Sequence, residues 1–375
     1  MKIGEFEFGL REFAGSLGDF GTLIPFVVGY VLVNGFDPSG LLLTLGLTNI
    51  FLAFVYGLPL PVQPKKAIGS IAIAQNWTPG MVYGTGLSLG LFWLLIGMFK
   101  EIDEIVEKIP RCVIRGIQLG LCITLLIKAL EFMKMDFLIA ICSVAIILLL
   151  LKSKVFPSAI AVLALGVIIA FLKRDLSLGS LHFGLSVPKI YVPRLKEVAI
   201  GFLLGGIPQI PLTLTNAVVG TTALIKEYFP DKGVKPRSLI LNMGFMNVFT
   251  SFFRGMPLCH GSGGLAAQYF FGARTGGALI MEGIIEVFLG LFLADSVGTI
   301  FRAFPFPVLG AMLLFAGIEL GRIAFKIKGR KEISIMLTVG VVSFIVNLAV
   351  GFLIGLILFF ILRKENMAKR LIGSF

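Results

Sequence analysis

Residues 254–274 read R-G-M-P-L-C-H-G-S-G-G-L-A-A-Q-Y-F-F-G-A-R and lie between two apolar runs, where a plain membrane span would carry leucine and valine. The stretch holds Pro257, one of the chain's two histidines (His260), and glycine at Gly261, Gly263 and Gly264. Proline removes a helix donor and glycine adds ordering entropy, so a helix does not run through 256–264 cheaply. From Leu265 a helix is again favourable. The pattern predicts an extended segment followed by a short helix that starts near Ser262, inside the membrane. Irregular backbone survives at that depth only when it is buried in protein or lines a polar cavity. The free N–H groups and positive dipole end of such a helix start suit an anion. A packing kink between helices is the plainer reading of the same residues.

The membrane setting follows from composition. Of 375 residues, 57% are apolar and 14% charged, with a mean hydropathy of +0.97. Such a chain is a polytopic membrane protein with room for roughly 12–14 spans. The net charge of +12 is not a nucleic-acid footprint, because lysine and arginine cluster in short loops as the positive-inside rule expects. The four cysteines form no C-x-x-C pair, so neither a disulfide framework nor a zinc site is indicated, and no cofactor is expected. The N-terminus does not resemble a cleavable signal peptide, and no long hydrophilic tail signals an attached soluble domain.

In chain order, residues 1–12 read as an interfacial helix or tail, and a first span over about 13–33 carries Asp19. An aspartate at membrane depth is a functional candidate by default, and Asp19 is assigned to coupling. A span over 40–56 leads into G-L-P-L-P-V-Q-P-K-K-A-I-G-S (57–70), where three prolines precede a short helix with Pro64 in its first turn and Gln63 as cap. Spans over about 80–99, 111–130, 136–151 and 156–172 complete a first half. Residues 173–196 are the linker, with His182 read as a solvated loop residue. The second half, 197–375, has spans over about 197–225 (broken at 207–211), 239–253, the short helix 262–272, 275–294, 304–321, 332–348 and 351–363. Fourteen segments place both termini on one side, and basic clusters at 226–237 and 322–331 make that side the cytoplasm.

The halves echo each other. N-I-F-L-A-F-V-Y-G-L-P-L-P (49–61) aligns with N-V-F-T-S-F-F-R-G-M-P-L-C (247–259), matching Asn49 to Asn247, Gly57 to Gly255 and Pro59 to Pro257. I-P-R-C-V-I-R-G (109–116) resembles A-F-P-F-P-V-L-G (303–310) at nearly the same offset. Seven spans per half make the repeat inverted, and matched interrupted segments mark a transporter's substrate site. Lys66 and, less favourably placed, Lys65 stand in the first turn of one half-helix, where cations oppose the dipole unless an anion is bound. Gly261, Ser262, Gly263 and His260 can contribute donors at the other. Gln209, Thr213 and Asn216 share one helical face and offer neutral donors, with packing as the rival reading. Glu282 and Glu286, one turn apart, fit either proton coupling or pairing with Arg274 or Arg302.

G-D-F-G-T-L-I-P (18–25), P-L-P-V-Q-P-K-K-A-I (59–68), I-P-Q-I-P-L-T-L-T-N-A-V (207–218) and the 255–274 segment resemble the signature segments of the molybdate-transporter branch of the sulfate permease superfamily. The resemblance covers nearly the whole chain. It implies an all-α fold shared with uracil permeases: a 7+7 inverted repeat with a core (spans 1–4 and 8–11) and a gate (spans 5–7 and 12–14). It also implies substrate held between spans 3 and 10, and a dimer. Lys65-Lys66-Ala67 stands where the family pattern often has Met-Lys-Ser, and Ser262 where alanine is common. The expected function is secondary transport of a tetrahedral oxyanion, molybdate first and tungstate or sulfate next, across the plasma membrane, with a proton as candidate co-substrate. The substrate-binding set is Gln63, Lys66, Gln209, Thr213, Asn216, His260, Gly261, Ser262 and Gly263. A nucleobase or carboxylate permease and an anion channel of the same fold are the alternatives. Enzymology is not expected, since no H-E-x-x-H, nucleophile elbow or P-loop occurs.

Overall fold

The computed structural model describes residues 2–99, 110–150, 158–177, 179 and 181–372. A short hairpin of β1 (Lys2–Ile3) and β2 (Phe6–Glu7) opens the chain, within the residues expected as an interfacial helix or tail. Helix α1 (Leu10–Ser16) and α2 (Phe20–Leu32) form one apolar unit bent by 48°, with Asp19 at the break. Then come α3 (Pro38–Tyr56), strand β3 (Val62–Pro64), half-helix α4 (Lys66–Ala74) and α5 (Pro79–Gly97). Helices α6 (Arg111–Met133), α7 (Phe137–Leu150) and α8 (Ser158–Leu172) follow. The ends of the expected spans at 151 and 156–157, Ile109 of the repeat, and positions 178 and 180 of the linker lie outside the described residues.

The second half begins with α9, Leu195–Tyr228, which runs unbroken for 34 residues. Sequence reading expects a break at 207–211; instead π-helical turns at Phe202–Gly206 and Thr213–Gly220 flank Pro208 and Pro211. A π turn shifts the hydrogen-bond register by one residue, which accommodates residues that cannot donate. Threonine hydroxyls take up carbonyls as well: Thr215 donates to Pro211 O at 2.8 Å and Thr222 to Val218 O at 2.6 Å. Helix α10 (Pro236–Phe252), strand β4 (Leu258–His260) and half-helix α11 (Ser262–Phe271) come next. Helix α12 (Gly277–Phe292) then turns by 87° into the short α13 (Ala294–Arg302), most of which lies between two of the expected spans. Helices α14 (Phe306–Ala324), α15 (Arg330–Ile345) and α16 (Leu348–Ile372) close the chain, α16 continuing through the expected tail.

Among the described residues, four helices are long and apolar enough to cross a bilayer alone, and the two bent pairs raise this to six. The half-helices and the shorter α7 and α8 fall below that length. Exposed Phe51, Phe54, Leu91, Leu95, Leu138 and Leu149 line the outer faces, as lipid contact requires and water would not favour. The helix pairings respect a two-fold relation: α3 packs on α12 as α5 packs on α10, while α6 packs on α14 and β3 on β4. The linker is not free. Gly184 and Ser186 N–H donate to Phe292 and Leu291 carbonyls, Tyr191 N–H donates to Phe252 O, and His182 exchanges two hydrogen bonds with Ser296 through its backbone, leaving its ring exposed.

Helices α3 and α12 meet backbone to backbone. A Cβ on Gly46 would sit 2.5 Å from Gly283 O, and one on Gly283 would sit 2.6 Å from Gly46 O. Such close approach is how helices associate in lipid. Gly283→Leu is expected to destabilise the protein by about 1–3 kcal/mol through overpacking. Gly184→Ala in the linker, where nothing lies within 4 Å of the added methyl, is expected to stay within about 0.5 kcal/mol of the parent. Thermal unfolding of purified protein in detergent checks both.

Candidate substrate site between the two half-helices

Prolines at 59, 61, 64 and 257 keep two segments from closing helical hydrogen bonds. Their backbone groups find each other instead. Strands β3 and β4 pair antiparallel, Val62 opposite His260, Gln63 opposite Cys259 and Pro64 opposite Leu258. Lys65 N–H extends the ladder to Pro257 O at 2.9 Å. The repeated asparagines anchor it: Asn49 Oδ1 accepts from Val62 N–H at 3.2 Å, and Asn247 Oδ1 accepts from Leu258 N–H at 3.0 Å. Each asparagine thus holds the first residue of the strand that follows it. Pro64 belongs to the strand and Lys65 is the N-cap of α4, so the expected helix start at Pro64 with Gln63 as cap is displaced by two residues.

Neither half-helix is capped by its own N-cap side chain, Lys65 for α4 and Gly261 for α11. Helix α9 reaches both starts. Gln209 Oε1 accepts from Ala67 N–H at 2.9 Å, Gln209 Nε2 donates to Thr213 Oγ1 at 3.0 Å, and Ser262 Oγ donates to Asn216 Oδ1. Gln209 and Asn216 are seven residues apart, roughly 10 Å along a helix at 1.5 Å per residue. The two helix starts therefore lie on one face of α9, about two turns apart. The i, i+4, i+7 spacing of Gln209, Thr213 and Asn216 is what brings them to that face. Gln63 lies against the start of α11: a Cβ on Gly264 would come within 2.7 Å of Gln63 Nε2, and one on Gly261 would strike Gln63 Oε1. Around Gly263 there is open space.

The structure separates the two lysines. Lys65 is fully buried and its Nζ has no hydrogen-bond partner, whereas Lys66, favoured from sequence, is half-buried. Which of two adjacent lysines turns inward depends on where the strand gives way to the helix, which the sequence places only to within two residues. His260 is fully buried, with Nε2 3.1 Å from Asn242 Oδ1 and Nδ1 unpartnered. Gln63 Nε2 is also buried and unpartnered. Lys65 Nζ and Gln63 Nε2 are thus unpartnered donors beside the paired helix starts, an arrangement that suits an anion.

A second polar group lies behind the half-helices. Asn49 Nδ2 donates to Glu286 Oε2 at 3.0 Å, and Gln268 Nε2 donates to Glu282 Oε2 at 2.7 Å and to Asp19 Oδ1 at 3.5 Å. All five side chains are buried. The pairing with Arg274 or Arg302 considered from sequence does not occur. Arg274 lies over the Tyr269 ring at 3.6 Å and donates to the Tyr269 and Ala273 carbonyls. A cavity of about 400 Å³ opens at the far end of α4, between Gln75 and Leu204 on one wall and Lys128, Glu131, Ser343 and Asn347 on the other.

The sequence of 11–125 and 201–320 matches a family described as "Molybdate transporter of MFS superfamily". The chain is 32% identical to "Molybdate transporter 1" of Arabidopsis thaliana, over 96% of this chain and 90% of that protein. It is 31% identical to "Molybdate transporter 2" of the same plant, over 95% of this chain and 88% of that protein. The fold is similar to the transmembrane domain of the cyanobacterial bicarbonate transporter BicA (TM-score 0.71, 17% identity, 90% of this chain and 96% of that one). It is also similar to the inward-facing murine Solute Carrier 26 family member A9 anion transporter (TM-score 0.72, 14% identity, 98% of this chain and 70% of that one). Extending over both halves and the half-helix pair they enclose, these likenesses identify the chain as a membrane transport protein of sulfate-permease-type fold that belongs to the molybdate transporter family.

Proposed function

We propose that the chain is a secondary active transporter of a tetrahedral oxyanion, molybdate first, with tungstate and sulfate as competitors of the same charge and shape. The anion sits between the starts of α4 and α11. The observation that carries this reading is the pair of half-helix starts facing α9, beside the buried, unpartnered Lys65. An isolated cation at membrane depth is costly, and a bound dianion offsets that cost. The dipoles of both half-helices, the free Gln63 Nε2 and the backbone N–H groups of 262–264 add to it. Gln209, Thr213 and Asn216 hold the two starts in register. His260, bonded to Asn242, keeps β4 in place. The names of the plant relatives support molybdate as the first substrate to test.

Transport proceeds by alternating access. A core of α1–α5 and α9–α13 carries the anion against a gate of α6–α8 and α14–α16. The cavity at the far end of α4 supports this division, because its walls come from α4 and α9 on one side and α6 and α15 on the other. The reading extends to a homodimer in the plasma membrane with both termini in the cytoplasm, and to a proton as co-substrate.

Uptake of radiolabelled molybdate into proteoliposomes, with tungstate and sulfate as competitors, tests the reading. Saturable uptake is expected, and large unitary currents would assign the chain to channels instead. Ser262→Leu fills the open start of α11 and is expected to abolish uptake while the protein still purifies as a monodisperse species; normal uptake would remove that helix start from the site. Lys65→Met is expected to raise KM for molybdate about ten-fold, the size of one lost hydrogen bond to a charged group. An unchanged KM excludes Lys65 from contact with the anion.

A further inference from the structure

Three buried carboxylates, Asp19, Glu282 and Glu286, gather behind the half-helices. Among the described residues no lysine or arginine lies within 4 Å of any of them. Each keeps one oxygen without a hydrogen-bond partner: Asp19 Oδ2, Glu282 Oε1 and Glu286 Oε1. Gln268, fully buried, points its Nε2 into the group and leaves its own Oε1 unpartnered as well. The site is therefore rich in acceptors and short of donors. Several carboxylate charges cannot be buried together without compensation. Hydrogen-bond donors or a cation must supply it. A proton needs no coordination shell, and among the described residues no group of three acidic, histidine or cysteine side chains is arranged to hold a metal ion.

The wiring of the group is specific. Glu282 is tethered to α11 through Gln268, and Glu286 is tethered to β3 through Asn49, whose Oδ1 holds Val62 N–H. The two glutamates are one turn apart on α12, so half-helix α11 and the strand leading into half-helix α4 each have an amide link to one of two neighbouring carboxylates. Asp19 at the α1–α2 break faces Gln268, Gln63 and Glu282. The other ionisable groups nearby are engaged elsewhere: Glu12 on α1 accepts from the Arg274 and Thr275 N–H groups, and Arg274 is turned onto Tyr269. We propose that Asp19, Glu282 and Glu286 form one shared proton-binding site that is read by both half-helices, so that anion and protons are bound and moved together. Resting on the oxyanion reading above, the inference assigns co-substrate binding to the α12 glutamates as much as to Asp19. A proton taken from the acidic side converts a carboxylate to a carboxylic acid, whose O–H can satisfy a neighbouring unpartnered acceptor. Opening to the other side returns that proton to solution with the anion. A displacement of either half-helix changes the donors available to Glu282 or Glu286, which links the two binding events.

The test uses purified protein in proteoliposomes with a pH-sensitive dye trapped inside, radiolabelled molybdate outside, and equilibrium molybdate binding measured in parallel in detergent. Wild-type protein is expected to acidify the lumen during uptake, and acid outside is expected to speed uptake at least ten-fold over symmetric pH. Glu282→Gln, Glu286→Gln and Asp19→Asn are expected to retain molybdate binding and to lose most of that acceleration. Saturable wild-type uptake with no proton entry and no gradient response overturns the inference and leaves the oxyanion reading standing. A gradient response kept by all three variants overturns it too, as does acceleration by a sodium gradient alone that the same variants abolish. Absence of molybdate binding by the wild type overturns the oxyanion reading and this inference with it.

Discussion

A backbone N–H or C=O that enters a bilayer without a partner costs several kcal/mol, so a chain interrupting its helices in mid-membrane must bring the partners along. Here they come from the other half of the chain. The three-residue ladder between β3 and β4 pairs the two interruptions with each other, and Asn49 and Asn247 pin its first residues. The ladder leaves the helix starts beyond it facing protein and open space. Helix α9 then fixes them with Gln209 at one start and Asn216 at the other. The candidate site is thus a consequence of how the break is repaired. Neither half could build it alone, because each strand's partner lies about 200 residues away.

The same geometry sorts the ionisable groups. Cationic and donor groups, Lys65 and the helix starts, lie on the ladder. The carboxylates lie apart from it, bonded to the neutral amides of Asn49 and Gln268. Direct contact between Lys65 and a carboxylate would form a buried ion pair and cancel both charges. Neutral amides keep opposite charges apart while joining them mechanically, which suits the proposed binding of an anion and a proton without neutralising one against the other.

Much of this was legible in residue order. The interruptions at 57–66 and 254–261 were visible because proline and glycine have few backbone options, and the half-helices begin within two residues of where those residues allow. The spacing of Gln209, Thr213 and Asn216 gave their common face for the same reason. What the sequence did not carry depends on local alternatives of similar cost. Pro208 and Pro211 suggested a break in α9, yet π turns absorb them without one. The inward turn of Lys65 rather than Lys66 follows from a strand-to-helix boundary that no residue type marks. Glu282 and Glu286 were visible as a pair, but their tethers, Gln268 and Asn49, come from distant helices. In the sequence Asn49 stands out only as part of the repeat. The departure of α13 from α12 rests on an 87° bend that carries no proline.

The central claim is that a tetrahedral dianion sits where α4 and α11 begin. The most direct measurement is a crystal structure with bound tungstate, located by anomalous scattering at a tungsten absorption edge. The account predicts a single strong peak between the N-termini of α4 and α11, within contact of Lys65, Ser262 and the backbone N–H groups of 262–264. A peak in the cavity lined by Gln75, Lys128 and Asn347, with the space around Gly263 empty, would contradict it.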